Sequence, residues 1–457
     1  FVSQDYLRAL GVRVVAGRGF DAGDGAAAPR VLLVNQALVR RQFAEGDPIV
    51  MKIADMVKRE MGAAPKMIEP TGYLRAGTGV NGKGGDMIAF QAPGAYQKYR
   101  LGNETELYGE FGLKFNWINP DHNDGAWFST VMKMALVAPR QGSFDVYSVQ
   151  AIREAYVQGG HVIEGQPDMS VWAGQRFYRR KDVHINDWFF NDNSGYGGGI
   201  EDLKVTDKVK LAAAWIIGTQ NQGDTEAKSD VGKLAKNSID IRLYDIPAGP
   251  GNLELMVVPT LSAGTNVGNR NGVAVGAFFS HSLSGGFHEI SAQWGIGGAA
   301  GLNAYVDRGV AKNGWLLRVV DRAAIQINPE TSMMWTGSLQ LDNKNGDTNG
   351  GTGNIWISAG ARPIHMLSKH VGVAAELGVD IVQGEQPEGT EKTTGLLGKF
   401  TLAGLIRPGA GFWERPELRA FVTAATWDNS IKGQVGGPAY SDSTFGLNFG
   451  LQAEMWW

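Results

Sequence analysis

The 457-residue chain contains no cysteine, which excludes disulfides and thiolate metal sites while leaving the compartment open. It has no unbroken run of about 18 apolar residues, so a spanning helix is excluded. A spanning barrel is not, because half of each barrel strand faces water and the mean hydropathy stays mild. A formal net charge of -3 provides no broad basic field, which argues against nucleic acid as a partner. The chain opens on Phe1 without a charged and then apolar leader, which implies that any secretion signal lies outside it. Glycine, by contrast, is abundant: 64 residues, about twice the usual share, scattered through alternating segments rather than gathered in one linker.

The texture changes along the chain. "YLRALGVRVVAGRGF" and "PRVLLVNQALVRRQFAEGDP" predict a short strand, then a strand running into an amphipathic helix capped near Asn35. Residues 1–48 resemble a fragment of the periplasmic domain of macrolide-exporter-type permeases, with neither an ATPase nor a helical span. They read as a short α/β appendage. Residues 49–70 place Val50, Ile53, Val57 and Met61 at helical spacing and predict a linker helix, with an oligomerising helix as the alternative. Three turns are too few to specify a coiled coil.

From residue 71 to 457 apolar and polar residues alternate in segments separated by Gly, Asn and Asp, with no helical period. About 385 residues at roughly twenty per strand and connection predict sixteen to twenty strands. No Pro- or Ser-rich linker divides them, so one large antiparallel barrel is simpler than several sandwiches. The terminal "STFGLNFGLQAEMWW" shows the pattern: Phe445, Leu447, Phe449, Leu451, Ala453, Met455 and Trp457 share one face. The other face carries Asn448, Gln452 and Glu454, and also Trp456.

Four more aromatics fall on polar faces. Tyr73 shares parity with Arg75, and Tyr108 with Glu106, Glu110, Lys114 and Asn116. Phe287 goes with Glu289, Ser291 and Gln293, and Trp413 with Arg415, Glu417 and Arg419. A girdle of interfacial aromatics explains Trp457, but not rings that share a face with carboxylates and guanidinium groups. A wet lumen carrying a track of aromatic platforms explains both. Pyranose C–H faces stack on such rings while the hydroxyls exchange hydrogen bonds with ionised neighbours, and several weak sites in a row permit passage.

The segments "GYLRAGTGVNGKGGDMIAFQAPGAYQKYRLGNETELYGEFGL", "WAGQRFYRRKDVHINDWFFNDNSGYGGGIED", "FWERPELRAFVTAATW" and "QAEMWW" resemble the maltoporin family of outer-membrane carbohydrate porins over residues 71–457. The resemblance implies an all-β, eighteen-stranded antiparallel transmembrane barrel in the outer membrane of a Gram-negative bacterium, assembled as a homotrimer. It also implies an inward-folded third loop that narrows each pore, and a "greasy slide" guiding maltose and maltodextrins. Carried over by motif, the slide is Tyr73, Tyr108, Phe287, Trp413 and Trp456. The accompanying polar track is Arg75, Arg100, Glu110, Arg153, Arg180, His184 and Asp187, with Asp192 further along the constricting loop. Trp456 is then expected to face the pore and Trp457 the lipid or the trimer surface.

The chain departs from the family pattern in three respects. Phe189 stands where the constriction normally has Tyr. Asp145, near Phe144 and Tyr147, replaces a Trp that a neighbouring subunit contributes at the pore entrance. Ala89 and Thr105 occupy the positions of an early disulfide. They leave the preferred sugar open.

Other chemistry finds less support. His184 with Asp182, Asp187 and Asp192 offers a single imidazole and no recognised metal-ligand spacing. "GYGGGIED" and "GVNGKGG" open no helix and so form no phosphate cradle. No motif places Ser, His and an acid in register for hydrolysis, and no cofactor is implied. The rival class is a soluble or surface β-rich carbohydrate-binding protein that performs no transport.

Overall fold

In the computed structural model the described residues are 67–457, apart from 105, 120–121, 123–124, 139–148, 219–233, 265–269, 306–309, 344–352 and 385–392. The expectations for residues 1–48, and for the linker helix before residue 67, lie outside them. The first strand starts at Ile68, so the last residues assigned to that linker are already barrel.

The wall begins with β1 (Ile68–Asn81), β2 (Leu107–Ile118), β3 (Trp127–Ala138), β4 (Val149–Gly160) and β5 (Ser170–Arg176). A small hairpin, β6 (Lys181–Val183) and β7 (Trp188–Asn191), follows inside the barrel. The wall resumes with β8 (Gly195–Lys204), β9 (Lys210–Gly218), β10 (Leu234–Ala248), β11 (Gly251–Gly264), β12 (Gly272–Leu283) and β13 (Gly286–Ile296). It continues through β14 (Trp315–Asn328), β15 (Thr331–Asn343), β16 (Asn354–Met366), β17 (Val371–Gly384), β18 (Thr393–Ile406), β19 (Glu417–Trp427) and β20 (Phe445–Trp456). Apart from β6 and β7 these form one 18-stranded antiparallel sheet, closed where β20 pairs with β1.

The alternation of the sequence becomes two environments. On β20, Leu451 is 61% exposed on the outer surface, whereas Asn448, Gln452 and Glu454 are buried on the inner one. The same inversion recurs on β17 and β18, where Leu377, Phe400 and Leu402 lie outside while Glu376, Lys399 and Thr401 are buried inside. An apolar exterior around a charged interior is stable only when lipid bathes the outside. The two ends differ as well. Long connections such as 82–106 and 428–444 lie at one end, and short turns at the other. Ser284 and Gly285 between β12 and β13 both have positive φ, the conformation of a two-residue hairpin turn. Short turns at the periplasmic end and longer loops outside are the pattern of outer-membrane barrels.

The connections 82–106 and 177–194 fold into the lumen. The segment 82–106 buries Phe90, Tyr99 and Leu101. The Leu101 carbonyl accepts from Lys399 Nζ (2.7 Å) and Thr401 Oγ1 (2.9 Å), and its N–H donates to Glu376 (3.0 Å). Tyr99 lies against Gly360 and Gly378, where a Cβ on either would overlap the ring. The segment 177–194, which carries β6 and β7, is the third of the long connections and folds inward as expected. Arg100 N–H donates to Ile185 O (3.0 Å), joining the two segments. Lys181 pairs with Glu254 (3.1 Å) and Glu289 (3.0 Å), and Arg242 donates to Asn191 Oδ1 (2.9 Å). Arg318 and Arg322 bond the carbonyls of Phe190 and Asp182. The third loop is thus held against β10–β14 by buried, charge-assisted bonds.

Candidate functional site

The inner surface near the short-turn end carries a series of aromatic rings. Tyr108 and Tyr73 lie 5.9 Å apart between centroids, Tyr73 stacks on Trp456 at 6.4 Å and 13°, and Trp456 meets Trp413 at 6.5 Å. Strand register explains the first three. Tyr73 is directly opposite Trp456 across the closing seam, and Tyr108 is opposite Arg75 on β2.

Trp413 arrives differently from its sequence expectation. It lies not on a strand face but in the connection 407–416, because Pro416 has no N–H for the ladder and β19 starts only at Glu417. Arg407 organises that connection by donating to the carbonyls of Gly411 (2.6 Å), Phe412 (3.3 Å) and Glu414 (3.0 Å). Ser332 on β15 pins its tip by donating to Ala410 O (2.7 Å). A cavity of about 380 Å³ opens beside Trp413 and Trp456, against Gly286, Ala324 and Arg415. Phe287 stands apart: among the described residues its ring meets the Arg322 guanidinium at 5.3 Å rather than the other four aromatics.

Trp457 lies on the outer surface. Its indole meets Phe111 at 5.9 Å and covers Gly72, the only residue type that leaves room there, and its backbone exchanges two hydrogen bonds with Gly72.

A dense ionic network backs the rings. Arg75 pairs with Glu104 (2.7 Å), Glu106 and Asp187 (3.2 Å). Arg100 pairs with Glu104 and Glu454, both at 2.6 Å, and donates to the Tyr73 hydroxyl (2.7 Å). That hydroxyl in turn donates to Glu454 (2.8 Å), which also holds Arg415 (2.8 Å) and Arg419 (3.0 Å). Sequence reasoning missed Glu104, Arg415, Arg419 and Glu454 as a unit. The last three stood on inward parities, whereas Glu104 sits in a connection with no periodicity to reveal it.

His184 is buried within this network. Nδ1 lies 3.5 Å from Arg100 and Nε2 3.4 Å from Arg415, and the ring stands edge-on to Phe412, Trp413 and Trp456. Burial, reinforced by the Arg100 and Arg415 charges, holds its pKa well below the usual imidazole value, so the ring is neutral. It joins the third loop to the Trp413 connection from behind the platforms. Asp187 projects to the other side. Burial opposes its charge, but Arg100 and Arg75 prevail and hold it below the usual carboxylate range.

Alternation within the third loop exposes Asp187 and Phe189 while burying Trp188 and Phe190. Arg180 sits between two phenyl rings, 3.4 Å from the Phe177 centroid and 4.1 Å from that of Phe189. Arg153 occupies a bulge, since Lys133 opposes Glu154 while Met134 opposes Ile152. The bulge turns Arg153 inward, 3.6 Å from Glu110 and 5.2 Å from the Phe177 ring. Glu110 also accepts from the Tyr108 hydroxyl (2.5 Å). Asp192 bridges in parallel to Asn303 and accepts from Ser194 N–H (3.0 Å). Phe177 had no alternation to mark it in the sequence. Asp145, with Phe144 and Tyr147, and Thr105 lie outside the described residues.

Comparison with known proteins gives one family. The family model described as LamB porin matches residues 68–457. Among solved structures, the outer membrane channel DcaP of Acinetobacter baumannii is 12% identical with a TM-score of 0.46, covering 85% of this chain and 97% of its own. The anion-selective porin from Comamonas acidovorans is 9% identical with a TM-score of 0.42, covering 85% and 100%. Wzi, a carbohydrate-binding outer membrane β-barrel of Escherichia coli, is 11% identical with a TM-score of 0.41, covering 88% and 87%.

Proposed function

The chain belongs to the LamB porin family, and from that membership we propose that its pore conducts maltose, maltodextrins or related oligosaccharides by facilitated diffusion. It is a porin of the Gram-negative outer membrane. Its lipid-facing exterior counts against the soluble form of the carbohydrate-binding alternative, and ion current separates the surface form, which performs no transport.

The observation that carries the sugar reading is the series Tyr108, Tyr73, Trp456 and Trp413 beside a wall of ionised groups. Rings in succession give a sugar equivalent platforms, so it advances by exchanging one weak contact for the next. Arg75, Arg100, Glu110, Arg153, Arg180, Asp187 and Asp192 supply donors and acceptors along the way, and Phe189 contributes an apolar edge at the narrowest point. His184 holds the lower platforms in place. Phe287 marks a separate contact on the β13 wall. The working unit in this reading is a homotrimer, as the resemblance to maltoporins implies.

The test is ion current through the purified full chain in planar bilayers, titrated with maltose through maltoheptaose and with sucrose. Block that strengthens with maltodextrin length as more platforms are spanned is expected. Current that none of these sugars affects would refute sugar conduction while leaving the porin intact.

A further inference from the structure

The constriction wall carries more positive charge than its own carboxylates neutralise. Lys133, Arg153 and Arg180 surround one ring, that of Phe177, at 5.1, 5.2 and 3.4 Å from its centroid. Lys133 pairs with Glu154 (2.8 Å) and Arg153, loosely, with Glu110 (3.6 Å). Among the described residues no carboxylate forms an ion pair with Arg180. Just beyond, Arg176 and Arg179 share the single carboxylate of Glu201. Five cations therefore face three carboxylates on the wall formed by β2–β5, β8 and the start of the third loop. Asp182 lies within electrostatic reach of Arg180, and Asp192 shares the field at Tyr305 with Arg153 and Arg180, so these two third-loop carboxylates offset the surplus without pairing with Arg180. On the back of the third loop Lys181, Arg242 and Arg322 pair with Asp182, Asp240, Glu254 and Glu289, while Arg318 donates to the Phe190 carbonyl and to Gln340.

The way Arg180 is held gives that surplus a shape. Two phenyl rings cover both faces of the guanidinium, which leaves its edge, a planar fork of N–H donors, as the only side able to form hydrogen bonds. A planar fork is matched best by a carboxylate, through two parallel charge-assisted bonds. A single sugar hydroxyl presents one neutral oxygen in place of two charged ones, so it cannot accept the two parallel bonds that the fork offers. The exposed Phe189 ring beside it provides an apolar surface for the pyranose that bears the carboxylate.

We propose that this constriction selects carboxylate-bearing sugars, uronate-containing oligosaccharides, over neutral sugars of equal size, with Arg180 as the group that recognises the carboxylate. The proposal rests on the reading of the barrel as a sugar-conducting pore. Diffuse attraction from Lys133, Arg153, Arg176 and Arg179 raises the anion's concentration at the narrow point, and the Arg180 fork then orients it. Because the fork is open to water on one side, the contact is strong enough to select and weak enough to release.

The experiment uses a matched pair: maltotriose, and the same trisaccharide with C6 of its terminal unit oxidised to a carboxylate. Each is titrated against ion current through the full chain, in wild type, Arg180→Gln and Arg180→Lys. At about 0.1 M salt the uronate is expected to block at roughly tenfold lower concentration than maltotriose, an advantage that shrinks at 1 M salt. Arg180→Gln should abolish the advantage, and Arg180→Lys should keep part of it, having charge without the planar fork. Maltotriose block with no uronate advantage would overturn this proposal and leave the sugar pore standing. An advantage that survives Arg180→Gln would overturn the assignment to Arg180. If neither sugar blocks, both readings fall. Should the variants not assemble, the wild-type ratio and its salt dependence decide.

Discussion

Trp456 and Trp457 are adjacent in sequence but sit on opposite surfaces, so truncating each separates the proposed sugar contact from wall stability. Trp456 stacks on Tyr73, carries Arg415 at 4.2 Å over its ring and lines the cavity beside Trp413. Removing one platform costs a bound sugar about 0.5–1.5 kcal/mol of stacking, or about two- to tenfold in affinity. The backbone pairing of β20 with β1 does not depend on the indole, so Trp456→Ala should assemble normally. Trp457 is 46% exposed and covers Gly72 and Phe111 on the outer wall. Its truncation removes on the order of 100 Å² of apolar cover from the closing seam. Acyl chains refill part of the space, leaving a loss of about 1–2 kcal/mol. Trp457→Ala should therefore lower the yield of the heat-modifiable band while leaving maltodextrin block per channel unchanged. Both quantities are measured for both variants, by gel shift after graded heating and by current titration. If Trp457→Ala proves the sugar-sensitive change and Trp456→Ala the assembly-sensitive one, the assignment of faces on β20 is wrong.

Three further expectations follow from the lumen. Gly378→Ala puts a methyl into the Tyr99 ring, an overpacking worth about 1–3 kcal/mol; it should loosen segment 82–106, lowering resistance to heat and raising open-channel conductance, and unchanged values of both would refute that packing. Glu454→Gln leaves Arg100, Arg415 and Arg419 without their shared carboxylate, at a cost of about 3–5 kcal/mol, and denaturant unfolding of the folded barrel should shift accordingly. Acid should act through the loop groups. Because burial and Arg100 depress the pKa of His184, its contribution is complete above about pH 6.5 and is lost as pH falls toward the folded value. Asp187, depressed by Arg100 and Arg75 against burial, adds its loss only below about pH 4. The thermal-unfolding midpoint should decline from pH 7 to 5 in wild type and less so in His184→Gln; parallel declines would refute the role of His184.

The wall was legible because a strand in a closed barrel must satisfy two solvents at once. Each residue of β20 meets either lipid or the lumen, so parity alone placed Trp456 inside and Trp457 outside. The same logic placed Tyr73, Tyr108 and Phe287. It reached Trp413 for the wrong reason, since the connection 407–416 owes its shape to Arg407 and Ser332 rather than to alternation. Parity carries no information about segments that leave the wall. Segment 82–106 contributes the buried Tyr99, Arg100 and Glu104 to the lumen, yet its turns and irregular backbone have no period to read. What positions it is complementarity with distant residues: glycines at 360 and 378 that make room for a ring, and Glu376, Lys399 and Thr401 that satisfy the Leu101 backbone. Each of those residues is ordinary in its own strand. Their meaning appears only when β16–β19 close round the segment, so the contents of a filled barrel are specified by non-local pairs that one-dimensional periodicity cannot register.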